Sequence, residues 1–191
     1  MATLWPLHAS AVSHEGGPIE TISAAALFAA GMAALYRFPG VNRMYIGLVC
    51  LLLAERELEA DIYPMGSTLY WVLSTFDTLL DIAVLRVALG LLVIGGFIRH
   101  GIPNVLRALK LRAPFLLVFV LAGLSACVAQ VLEEVSGIYA ADLSHAMMVR
   151  VFVLEEMLEM FFSIGVLVAV LIGWPKTYFQ ETLSRTRRKL L

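Results

Sequence analysis

The chain has 191 residues, 60% of them hydrophobic and 15% charged, with a formal net charge of −1. At a mean hydropathy of +0.85, that much apolar surface cannot be hidden in a soluble domain of this length and has to be solvated by lipid. The near-neutral balance carries no basic excess that would point to nucleic acid.

A helix rising about 1.5 Å per residue needs about 20 residues to cross about 30 Å of hydrocarbon, and five apolar runs suit that length. Residues 1–16 read as a short outside tail. Ala9-Ser10-Ala11 resembles a signal-peptide cleavage site, but no basic segment precedes it and Pro6 and His8 interrupt the apolar stretch. The spans are expected at about 18–36, 42–58, 69–98, 114–135 and 147–174, with Asp77 and Asp81 inside the third. Gly- and Pro-containing segments separate them, such as Phe38-Pro39-Gly40 and Tyr63-Pro64-Met65-Gly66. Residues 100–112 read either as an amphipathic interfacial helix, with Leu106, Leu109 and Leu111 toward lipid, or as an ordinary basic loop. Residues 175–191 form a basic tail, and the whole chain reads as one membrane domain. The expected fold is therefore an all-α integral membrane bundle of five transmembrane helices.

Charge orients it. Arg37 and Arg43 follow the first span, Arg99, Arg107, Lys110 and Arg112 follow the third, and Lys176, Arg185, Arg187, Arg188 and Lys189 lie in the tail. Basic residues stay cytoplasmic when loops are short. The opposite ends carry Glu15, Glu20, Glu55 to Asp61, Glu133, Glu134 and Asp142. An outside N-terminus and a cytoplasmic C-terminus, in a bacterial inner membrane, satisfy every loop.

Several acids enter the spans. Ser74, Asp77 and Asp81 share one helical face, as do Gln130, Glu133 and Glu134, and Glu55 and Glu59 are an i, i+4 pair. Glu155, Glu156 and Glu159 lie in the outer half of the last span, with Glu159 about a third to half of the way down the membrane. Ionisable groups inside membranes are costly and face the bundle interior or a water-filled cavity. The expected ligand- or proton-binding residues are Asp77, Asp81, Glu133, Glu156, Glu159 and Glu59, with Arg56, Arg86 and Arg150 balancing charge. Glu20, Glu55 and Glu57 read more simply as polar helix ends, Glu20 in the first turn after Gly17-Pro18.

Four functions fit such a pattern. Glu156, Glu159, Asp77 and Asp81 could hold a metal, and a site of carboxylates alone favours calcium, magnesium or manganese. No Glu-x-x-His motif is present, and all four histidines (His8, His14, His100, His145) lie outside the spans. A proton or cation pathway would need acceptors deeper in the membrane. Yet Phe115 to Leu124 and Ile164 to Ile172 hold none, so an outward-facing dead-end cavity for a cation or small cationic solute, with proton exchange, fits better than a channel. Paired carboxylates acting on a lipid are the enzymatic alternative. No nucleophile elbow or His-Glu-x-x-His is present, and Glu133-Glu134 lacks the arginine of intramembrane prenyl proteases. The remaining alternative is a non-catalytic accessory or assembly subunit, with a larger membrane complex or a second copy as partner beside the lipid bilayer. Cys50 and Cys127 fall within spans and form no redox or metal motif.

The order Gly17-Pro18-Ile19-Glu20, Arg56-Glu57-Leu58-Glu59 and Glu155-Glu156-Met157-Leu158-Glu159 resembles uncharacterised bacterial multi-pass membrane proteins with an Arg-Glu-Leu-Asp-like motif. Glu59 stands where that motif has Asp, and Ala60, Asp61 and Ile62 replace the basic and aromatic residues that follow it. The resemblance implies a polar core shared by the first, second and last helices.

Overall fold

The computed structural model describes residues 17–38, 40, 43–58, 60, 63–139 and 143–173. The outside tail, Glu59, Asp61, Asp142 and the basic tail lie outside them. Among the described residues the chain is all helical: α1 Pro18–Arg37, α2 Met44–Arg56, α3 Thr68–Asp81, α4 Ala83–Gly96, a π-helical turn Phe97–Gly101, α5 Ile102–Lys110, α6 Pro114–Ile138 and α7 His145–Ile172.

Among the described residues, three helical stretches are long and apolar enough to cross a membrane: Pro18–Arg37, the continuous Ala83–Lys110 and Pro114–Ile138. This is the architecture of a membrane protein. The exposed surface is that of one as well, with Trp71, Val84, Leu91, Leu117 and Val131 outward where a water-soluble protein would bury them. α7 is long enough at 28 residues, but Glu155, Glu156 and Glu159 interrupt its apolar run. α2, with 13 residues, covers about 20 Å.

The largest departure from the sequence expectation is in the third run, which is not one helix. It breaks at Ile82, whose ψ of 106° is extended. Thr75 and Thr78 donate their hydroxyls to the carbonyls of Trp71 and Ser74, at 2.6 and 2.7 Å, a back-bonding that weakens a helix. Asp81 then places a negative charge at the negative end of the helix dipole. Arg86 offsets both, donating from Nε to the Leu80 carbonyl at 2.9 Å and pairing with Asp81 at 2.8 Å. Asp81 is thus a helix-end residue and not a mid-span one.

Beyond α4 the helix continues through the π turn into α5, so residues 102–110 are helical and the loop alternative falls. Pro103 accounts for the π turn before it, since a proline ring clashes with the carbonyl four residues back and the wider turn relieves it. α5 is strongly amphipathic, as an interfacial helix requires, and buries only Ala108.

The core lies where α1, α2 and α7 meet. Leu27, Ala30 and Ala34 of α1 pack on Cys50 and Ala54 of α2 and on Val166 and Val170 of α7. Close approach depends on small residues. A Cβ on Gly31 would come within 3.1 Å of the Gly47 carbonyl, and one on Gly47 within 3.2 Å of the Gly31 carbonyl. α6 is held against α7 in the same way, Gly165 facing Ala122 so tightly that an added Cβ would lie 2.6 Å from the Ala122 Cβ. α3 and α4 bury no residue and lie outside this core.

α1 and α7 run parallel. At their C-terminal ends the Arg37 guanidinium donates to the carbonyls of Leu171 and Ile172. α2 runs back antiparallel to α1, with Arg43 stacked on Phe38 at 5.5 Å at the same end. Glu20 of α1 and Glu156 of α7 therefore both lie about 25 Å from the arginine end.

Candidate functional site

The buried faces of the three core helices become polar toward the end opposite Arg37. On α1 the buried stripe runs Ala34, Ala30, Leu27, Ser23, and Glu20 continues it one turn on, half-buried. On α7 it runs Val170, Val166, Ser163 and then, past half-buried Glu159, the buried Glu156. On α2 it runs Cys50, Ala54, with Glu57 three residues farther. Each helix thus presents aliphatic side chains for its inner turns and then a carboxyl.

These carboxyls interact. Glu156, 9% exposed, lies in the electrostatic field of Glu20, Glu159, Glu57 and Glu155. Glu159 feels Arg56 most strongly, then Glu133 and Glu20. Glu57 feels Glu159, Arg56 and Glu20. Arg56 is the cation facing this group, standing at the last turn of α2. Glu155 turns instead toward α6 and feels Glu133, which accepts a hydrogen bond from Gln130 and is exposed.

Two serines lie just beneath. Ser163 is fully buried and donates to the Glu159 carbonyl at 2.9 Å. Ser23 is 1% exposed and its Oγ has no hydrogen-bond partner.

Asp77 and Asp81 belong to a second group. Glu55 of α2 is within hydrogen-bonding reach of Asp77 and also feels Arg86 and Asp81. The structure therefore divides the four residues expected to share a metal: Glu156 and Glu159 stand with Glu20 and Glu57, while Asp77 and Asp81 stand with Glu55 and Arg86. Among the described residues no three Asp, Glu, His or Cys side chains are arranged to hold a metal ion. Arg150 is exposed on the second turn of α7.

Glu20 stands in the first turn of α1 and Glu57 at the end of α2, the polar helix ends expected from the sequence, yet both also continue the buried stripes. The missed signal is register: Glu57 lies three and seven residues after the buried Ala54 and Cys50, and Glu20 three and seven before Ser23 and Leu27. Carboxyls on the buried stripe are interior groups even at a helix end. Ser23 was hidden within an alanine-rich run. No family model, no curated protein and no solved structure matches the chain.

Proposed function

We propose that this is a multi-pass protein of a bacterial inner membrane whose outward-facing carboxylate cluster binds a cation or small cationic solute, with proton exchange. Five spans, an outside N-terminus and a cytoplasmic C-terminus make up the full topology. Its support is the polarity of the core, with Arg37 and Arg43 at one end and Glu20, Glu57, Glu156 and Glu159 at the other.

The observation that carries the reading is the convergence on Glu156 of carboxyls from three helices, with Arg56 as their facing guanidinium. Like charges brought together away from water need a cation or shared protons to offset them. Leu27, Ala30, Ala34, Cys50, Val166 and Val170 fill the junction beyond, and Leu27 to Ala34 alone spans about 10 Å. Such a plug suits a dead-end site and opposes conduction.

Titration calorimetry of the detergent-purified protein with monovalent, divalent and small ammonium cations tests this. Wild type should bind at least one of them, and Glu156→Gln, Glu159→Gln should lose that binding while remaining folded. Equal binding by both proteins, or binding by neither, contradicts the reading. The accessory-subunit reading draws on α3 and α4, which bury no residue against the rest of the chain. It predicts instead that the same double variant leaves the isolated protein intact but dissociates a complex purified from native membranes.

A further inference from the structure

Among the described residues, the Ser23 hydroxyl is the only buried side-chain nitrogen or oxygen without a hydrogen-bond partner. Buried polar atoms are nearly always satisfied, and one that is not calls for a reason. Its position supplies one. Ser23 is one turn from Glu20 and one turn from Leu27, on the α1 face that meets α2 and α7. Because α1 and α7 are parallel and Arg37 is level with Leu171 and Ile172, Ser23, 14 residues before Arg37, is level with Met157 and Leu158, between Glu156 and Glu159 and one turn beneath Glu20. It is thus the polar side chain that follows Glu20 on the buried face of α1, at the height of the α7 carboxyls. Ser163, one turn farther in than Glu159 on α7, is already engaged with the Glu159 carbonyl.

We propose that the Ser23 hydroxyl, with the carboxylates of Glu156 and Glu159, coordinates a single small monovalent cation of the sodium class. The inference rests on the cation-binding reading above and specifies the ligand. Size is one argument. Ala24, Leu27, Ala54 and Ser163 are all buried around this level, so the ligand is an ion and not an organic solute. Charge is the other. Calcium takes six to eight oxygen ligands and magnesium a strict octahedron, whereas no three acidic side chains among the described residues converge in a metal-binding arrangement. A monovalent ion is served by fewer carboxylates together with a neutral hydroxyl.

The test is thermal unfolding of the full chain in detergent at constant ionic strength, with sodium chloride replaced stepwise by choline chloride. Sodium should raise the wild-type Tm saturably, as any ligand selective for the native state does. Ser23→Ala should unfold at a higher temperature than wild type in choline, having lost an unpartnered buried hydroxyl. Its apparent sodium affinity should fall at least about tenfold. Ser163→Ala, whose hydroxyl is spent on Glu159, should keep the sodium response. If Ser23→Ala responds to sodium as wild type does while Glu156→Gln, Glu159→Gln does not, the cation site stands without Ser23 and this inference fails. Stabilisation by magnesium or an ammonium ion but not by sodium has the same meaning. If no cation stabilises wild type, this inference and the function it rests on fail together.

Discussion

Glu156 shows how one side chain can be costly to the fold and central to its use. It is buried, and every neighbour acting on it is another carboxyl. Replacing it with glutamine removes that repulsion with little change of shape. In the absence of cation, Glu156→Gln should therefore be more stable than wild type by about 1 kcal/mol, a rise of about 2–4 °C in Tm for a chain of this length. A lower Tm would mean that the charge is held by favourable contacts instead. Arg37 works at the other end. It donates to the last carbonyls of α7, groups that have no partner within their own helix, and its charge complements the dipole there. Arg37→Gln should lower stability by about 1–2 kcal/mol, and hydrogen exchange should increase in the last turn of α7 before it does elsewhere.

At the scale of elements, hydropathy could reveal how many apolar runs there are but not where they break. The run 69–98 reads as continuous because Leu79 and Leu80 precede Ile82 and Val84 and Leu85 follow it. What interrupts it is local hydrogen bonding by Thr75 and Thr78 and a charge at a helix end, neither of which alters hydropathy. Conversely, α7 stays one continuous 28-residue helix although Glu155, Glu156 and Glu159 interrupt its apolar run. The partition of acids into two groups was not legible either, because it depends on which helices pack together. α1, α2 and α7 share the core, whereas α3 reaches it only beside Glu55. The helix contacts themselves give a sharp prediction. An added Cβ on Gly165 meets the Ala122 Cβ, which has no flexible end to move aside. Gly165→Ala should therefore cost about 1–3 kcal/mol. Ala122→Gly in the same chain removes the clash and should restore most of that loss, less about 1 kcal/mol for glycine in a helix. Additive losses in the double variant would show that α6 and α7 do not cross at this pair.

For the whole molecule, the proposed topology sets an acidic outer end against a basic cytoplasmic end. Met65, in the turn before α3, is 88% exposed, and the proposed topology puts it outside. The same topology puts Arg112, in the turn after α5, inside. In a cysteine-free background, Met65→Cys should react with a membrane-impermeant maleimide on intact cells, and Arg112→Cys only after permeabilisation. The reverse pattern would invert the topology and turn the carboxylate cluster toward the cytoplasm.

In the proposed function a cation binds at Glu156 and Glu159, in the field of the carboxyls of α1 and α2. A membrane-permeant carbodiimide reports on it directly, because it modifies carboxyl groups in apolar surroundings and peptide mass spectrometry then locates the adduct. Modification is expected at Glu156 or Glu159 and should be suppressed by the cation that binds. Modification confined to Glu133 and Glu134, or modification of Glu156 and Glu159 that no cation reduces, would contradict it.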